Sequence, residues 1–204
     1  MLDEFKTIKK QTSEILFKDR NSKFFGYGYP VNSEDDVKSI LEQLKKQHYS
    51  AGHFCYAYQL GYLEPNIAFR TNDDGEPNNS AGLPIYGQIT SFEVTDILIV
   101  IVRYFGGTKL GVGGLINAYK TSAQMVLENS KIITEIVYEN FLLFFSYEDM
   151  NDVMRVLKDN DINIVKNESG LECKLEISIR LCEVERMKEA FKELYRVKLK
   201  LKVI

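Results

Sequence analysis

Histidine and cysteine are scarce in this 204-residue chain: His48 and His53 are the only histidines, and Cys55, Cys173 and Cys182 the only cysteines. A zinc site draws four nitrogen or sulfur ligands at close spacing, and no CxxC pair or Cys/His cluster supplies them. An odd number of widely spaced cysteines fits free thiols in a reducing compartment. Long apolar runs are missing as well. The longest, residues 97–102, falls far short of a bilayer-spanning helix. The first ten residues lack the apolar core of a secretory signal. These absences lead to the expectation of a cytoplasmic protein with no membrane association, no metal and no cofactor. Positive charge is not in excess either. The net charge of −3 means that any nucleic-acid site has to be a local patch.

What is present fits a globular chain with a core of its own: 45% apolar and 27% charged residues. Residues 15–17 and 24–31 have strand character, with a polar turn between them. Asn32 or Ser33 can cap a helix whose first turn holds Glu34, Asp35 and Asp36, and Val37, Ile40, Leu41 and Leu44 follow at helical spacing. Residues 53–62 and 66–70 are extended and expected to pair. Residues 71–84 are dense in Asn, Asp, Gly and Pro and are expected to be a loop, with a short helix after Leu83. Residues 96–105 form a β-branched strand that should be covered on both faces. A glycine-rich loop, 106–114, then leads into a helix over 115–129. The pattern changes after Lys131. Residues 132–146 are extended, 148–160 helical, 162–166 and 171–180 strands, 183–195 a charged amphipathic helix, and 197–204 a strand. That second half reads β-α-β-β-α-β, the split βαβ or ferredoxin-like order. The expected fold is α+β in two domains, residues 1–132 and 133–204.

Three segments could carry chemistry. The first, R-Y-F-G-G-T-K-L-G-V-G-G-L, spans residues 103–115. Its glycines let backbone N–H groups approach a ligand, and the following helix N-terminus adds donors and partial positive charge. Residues 97–127 hold Arg103, Lys109 and Lys120 and no acid, which favours an anion such as phosphate. Neither GxxxxGK[ST] nor GxGxxG is present, so this is not a standard nucleotide loop. The plain alternative is a loop that needs glycine for tight turning. The second segment, residues 72–82, offers Asp73, Asp74 and Glu76 to a hard cation without EF-hand spacing, or to acid–base chemistry with His53. Its alternative is an exposed turn. In the third, residues 53–58, His53 and Cys55 share one strand face, so a Cys–His pair is conceivable; a packed histidine is the simpler outcome. The aromatics Tyr27, Tyr29, Tyr56, Tyr58, Tyr62, Phe69 and Tyr104 could stack on bases or form an aromatic core.

The blocks A-G-H-F-C-Y-A-Y, D-D-G-E-P-x-x-S-A-G-x-P-I and R-Y-F-G-G-T-K-L-G-V-G-G-L-I-N-A-Y resemble the Impact/YigZ family over about residues 15–130. The resemblance implies a first domain with a β-α-β fold shared with a small-subunit ribosomal protein and elongation factor G. It implies a second domain similar to the last domain of elongation factor G. Gly52 stands where the family usually has Thr, Ser80 where Thr is usual, and Asn117 where Arg is usual. Losing that Arg removes a fixed cation beside the glycine loop. Eukaryotic members of the family act through protein contacts with a regulator of a translational stress kinase.

Together these features point to a binding protein rather than an enzyme. RNA, the ribosome or a translation-regulating protein is the expected partner. The expected anion or nucleic-acid contacts are Arg103, Gly106, Gly107, Lys109, Gly113 and Gly114. An enzyme acting on a phosphorylated or nucleotide substrate is the alternative, with His53, Asp74 and Glu76 as its catalytic candidates. A protein-interaction module is the other.

Overall fold

The computed structural model describes residues 3–63, 65–170 and 172–202. They form two compact units, one of residues 5–135 and one of residues 136–202 with Asp3 and Glu4. Both mix helices with antiparallel sheet, so the chain has the α+β, two-domain architecture expected.

The first unit, whose limits fall just inside the outer ends of β1 and β7, runs β1 (Glu4–Ile8), β2 (Ile15–Asp19), β3 (Ser22–Pro30), α1 (Glu34–Gln47), β4 (His53–Leu60), β5 (Ala68–Asn72), α2 (Gly82–Ser91), β6 (Ile97–Tyr104), α3 (Gly111–Glu128) and β7 (Ile132–Ile136). Five strands form one antiparallel sheet in the order β2-β3-β6-β4-β5, and β1 pairs with β7 in a separate ribbon. β6 lies at the centre, and residues 97–102 are all buried. Strand alternation divides them. Ile97, Ile99 and Ile101 join α2 and α3 residues such as Ile85, Ala118 and Tyr119. Leu98, Val100 and Val102 join Val37 and Leu44 of α1 on the other face. Ser33 caps α1 by accepting a hydrogen bond from the Asp36 N–H at 3.1 Å.

Three expectations need correction. α3 begins at Gly111 rather than Leu115, so Gly113 and Gly114 form part of its first turn instead of a loop. Leu115, Ala118 and Tyr119 are buried, and that tertiary anchoring outweighs the poor helix propensity of glycine. The loop of residues 71–84 is shorter than expected, because β5 continues to Asn72 and α2 starts at Gly82. Pro84 fits within the first turn of α2, where its missing N–H removes no helix hydrogen bond. The extended run 132–146 breaks into two strands with different partners.

The second unit runs β8 (Tyr138–Phe145), α4 (Met150–Asp159), β9 (Asn163–Ser169), β10 (Cys173–Arg180), α5 (Val184–Lys192) and β11 (Lys198–Leu201). The element order β-α-β-β-α-β is the one expected. The sheet order is β11-β8-β10-β9, with every pairing antiparallel. Cys173, Leu175, Ile177 and Ile179 alternate inward, and Phe141, Leu143 and Phe145 do the same on β8. They pack against Val153 and Leu157 of α4 and Val184, Met187 and Phe191 of α5. The expectations for Leu171 and for the last two residues of the final strand lie outside the described residues.

Candidate functional site

The loop between β5 and α2 folds around Asp73. Its Oδ1 accepts the N–H groups of Ala81 and Gly82 at 2.9 and 2.8 Å, and its Oδ2 accepts that of Asn79 at 2.8 Å. Ala81 has no capping side chain, so Asp73 caps α2 from across the loop. Asp74 Oδ2 accepts the Phe54 N–H at 2.6 Å. His53 Nδ1 donates to the Asp74 carbonyl at 2.8 Å, which fixes the imidazole and leaves Nε2 toward Glu76, 3.9 Å away. Asp73 and Asp74 therefore tie the loop down with their carboxylates. Among the described residues, no group of His, Cys, Asp and Glu is arranged to hold a metal ion.

Glu76 is the hub of a buried network. Its Oε1 accepts from Arg103 Nη1 at 2.6 Å and from the Tyr119 hydroxyl at 2.7 Å. Cys55 Sγ lies 3.3 Å from the Tyr119 hydroxyl and 3.0 Å from the Asp73 carbonyl oxygen. Burial pushes the Cys55 thiol and the Tyr119 phenol far above their ordinary values. Cys55 is a packed, buried thiol whose surroundings disfavour the thiolate that a Cys–His nucleophile would need.

Arg103 is buried, with its guanidinium 5.5 Å from the Phe24 ring centroid and 5.6 Å from that of Phe105. Its Nη2 reaches Ser22 Oγ at 3.4 Å, and its Nε–H is a buried donor with no acceptor among the described residues. Ser22 Oγ also accepts the Gly106 N–H at 3.2 Å. The Gly106 N–H is therefore already engaged, and a Cβ at Gly106 would lie 2.1 Å from the Asn21 carbonyl carbon. This glycine serves close approach to the β2–β3 turn. Gly107, by contrast, sits at φ +85° with open space around it, and Gly113 is also open.

These groups surround a cleft of ≈ 380 Å³, lined by His53, Glu76, Arg103, Phe105, Lys109 and Val112 among others. Its buried lining joins the polar Glu76 and Arg103 to the apolar Leu110 and Leu115. Its rim carries the exposed Lys109, and Phe105 and Val112 are 55% and 53% exposed. Of the residues expected from sequence, the fold brings His53, Glu76, Arg103 and Lys109 together here. Gly113 lies one residue beyond Val112 in the first turn of α3, while Asp74 holds the loop behind His53. Sequence reasoning missed Tyr119, Ser22 and the wall formed by Phe105 and Val112. Tyr119 had one usable signal, since it follows Leu115 by four residues on the buried stripe of α3.

Residues 20–127 match the family model of the Impact N-terminal domain, more than half of the chain. The IMPACT family member YvyE of Bacillus subtilis (strain 168) is 35% identical over 133 residues, which are 65% of this chain and 60% of that one. The IMPACT family member YigZ of Escherichia coli (strain K12) is 25% identical over 185 residues, 91% of each chain. A solved structure described as that of an hypothetical protein superposes with a TM-score of 0.69 at 22% identity, over 100% of this chain and 98% of that one, which establishes likeness of fold. No helix among the described residues is long and apolar enough to cross a membrane. With its glycine segment, its Asp73 loop and its Glu76–Arg103 floor all inside the matched region, the chain belongs to the IMPACT family.

Proposed function

We propose that this protein is a translation-linked binding protein that takes single-stranded RNA at the cleft of its first unit. One observation carries the proposal: an exposed aromatic, Phe105, stands beside the exposed Lys109 at the open start of α3. A base can stack on such a ring while a neighbouring phosphate meets the ammonium group and the helix N–H donors. The buried Nε–H of Arg103 offers one more donor to an acceptor brought by a ligand. The expected list of contacts narrows accordingly. Lys109, Gly107 and Gly113 are the contact candidates. Arg103 chiefly supports the floor through Glu76, with its Nε–H alone left for a ligand, and Gly106 supports the turn.

Anisotropy of a labelled single-stranded oligoribonucleotide, titrated with salt, tests this. Lys109→Ala should weaken binding to all sequences alike and flatten the salt slope by about 0.7, the release expected for one phosphate contact on a single strand. Phe105→Ala should weaken binding by about 1–3 kcal/mol if one base stacks there, with the slope unchanged. An unchanged affinity in both variants would remove the cleft from RNA binding.

A protein partner is the second reading. It is favoured by Val112 and Ile116, 53% and 39% exposed and four residues apart on α3, which extend the apolar rim of the cleft. A partner held there would survive a high-salt wash, whereas RNA would not.

A further inference from the structure

The second unit covers one face of its sheet with α4 and α5, and among its described residues no helix covers the other. Register defines that open face. Phe144 of β8 lies opposite Lys174 of β10 and Lys198 of β11, and Leu142 lies opposite Glu176 and Lys200. Farther out, Lys174 pairs with Glu168 and Glu176 with Lys166 on β9. Lys202 joins them by bonding Glu176 Oε1 at 2.8 Å. Five lysines thus face two glutamates over this part of the face, in a chain whose net charge is −3, and farther along β10 the Arg180 guanidinium bonds Asp3 and Glu4. Both glutamates are occupied, Glu168 by Lys166 and Lys174, Glu176 by Lys202. Lys198 and Lys200 have no carboxylate partner among the described residues. Lys200 Nζ lies 5.5 Å from the Phe144 ring centroid.

Lysines on an edge strand such as β11 have a common explanation in protection against edge-to-edge pairing. That does not account for an aromatic ring on the inner strand β8, half-buried and facing the same way. Beside this ring is a depression of ≈ 440 Å³ lined by Phe144, Ser146, Arg196, Lys198 and Lys200, with Asp149 and Glu172 also in its lining. Of the β8 side chains on this face, Tyr138, Leu142 and Phe144 are apolar or aromatic, and the five lysines outnumber them, which disfavours a hydrophobic protein partner. A row of cations crossing a four-stranded sheet beside a central-strand aromatic suits a chain of phosphates carrying flat bases. We infer that the open face of the β11-β8-β10-β9 sheet binds single-stranded RNA, with Phe144 as the stacking ring and Lys198 and Lys200 as phosphate contacts. This surface uses none of the residues that line the first unit's cleft, and the inference does not rest on that proposal.

The test uses the full chain and a fluorescein-labelled twelve-nucleotide oligouridine, about 12 nucleotides being within the range one sheet-based platform tracks. Anisotropy is measured from 50 to 200 mM salt, and thermal midpoints confirm that each variant is folded. Lys198→Ala with Lys200→Ala should lower affinity at least about ten-fold at low salt and flatten the salt slope by about 1.4, twice the single-strand value per contact. Lys198→Arg with Lys200→Arg should keep both. Phe144→Leu, which retains apolar bulk, should weaken binding several-fold and leave the slope alone. Lys109→Ala separates the two surfaces. If it changes nothing while the Lys198/Lys200 pair is required, the inference stands and the cleft proposal falls. If Lys109 is required and the Lys198/Lys200 double variant binds like wild type, the inference is overturned. A polyglutamate peptide that competes as well as the RNA, with Phe144→Leu indifferent, would overturn it in favour of an acidic polypeptide.

Discussion

Glu76 and Arg103 form an ion pair at 2.6 Å with side chains only 3% and 6% exposed. The pair joins the Asp73 loop to the central strand β6, and Tyr119 of α3 adds a third element through the same Glu76 oxygen. Breaking a buried pair by removing one partner leaves an uncompensated charge, which typically costs about 3–5 kcal/mol. Arg103→Met is expected to lower the unfolding free energy by about that amount in urea titrations. Combined with Glu76→Gln, the loss should be clearly less than the sum of the single losses. Simple additivity would show that the two side chains are not energetically coupled.

The glycines of residues 106–114 should separate by role. Gly106→Ala forces a methyl group into the Asn21 backbone, at 2.1 Å, so it should destabilise strongly and reduce soluble yield. Gly107→Ala sits at φ +85° in open space and should cost about 1–2 kcal/mol from backbone strain alone. Gly113→Ala lies in the first turn of α3 with open space around it and should be neutral or stabilise by up to about 1 kcal/mol. Chemical denaturation of the three variants checks the order.

His48 links two tyrosines under α1. Tyr27 donates to Glu14, so His48 Nε2 donates to the Tyr27 oxygen at 2.6 Å, and Nδ1 accepts from the Tyr104 hydroxyl at 3.0 Å. Burial holds the imidazole below its ordinary value of 6.5. The unfolded chain therefore takes up this proton first as pH falls. The stability from neutral His48 is full above pH 6.5 and is lost as pH drops below it toward the folded value. Urea midpoints should fall from pH 7.5 to 5.5, and His48→Gln should flatten that fall. An equal fall in the variant would assign it to other groups.

Asp3 accepts hydrogen bonds from the Arg180 guanidinium, which lowers its pKa from 3.8 to about 2. A depressed carboxylate contributes stability above its unfolded value and loses it as pH falls through the folded one. Asp3→Asn should therefore lower the thermal midpoint at pH 5 and narrow the gap to wild type near pH 2. A gap that is constant with pH would mean that the carboxylate charge plays no part.

Much of this architecture was legible in the chain. The β6 run of residues 97–102 announced a strand covered on both sides, and the alternation through Cys173, Leu175, Ile177 and Ile179 announced a one-sided sheet. Ser33 and the three acids behind it marked the start of α1. β1 went unseen because its five residues, E-F-K-T-I, have little local strand signal and are held by β7 more than 120 residues away. The start of α3 was misplaced because glycine reads locally as loop, whereas burial of Leu115, Ala118 and Tyr119 carries the helix back to Gly111.

The candidate site divides in the same way. Residue type and spacing were enough to bring attention to His53, Glu76, Arg103 and Lys109, because charged and imidazole side chains beside glycines and a buried strand are unusual in any chain. Their roles were decided by contacts across the fold. Arg103 looked like a free cation until Glu76, 27 residues earlier, met it at 2.6 Å, and Gly106 looked like a free donor until Ser22 took its N–H. Periodicity and composition act over neighbouring residues, so the sequence by itself determined most of the elements, the two-domain α+β class and the family. Which polar groups are buried against one another, and which remain at a rim to meet a ligand, depends on distances between segments far apart in the chain, and only the tertiary structure decided that.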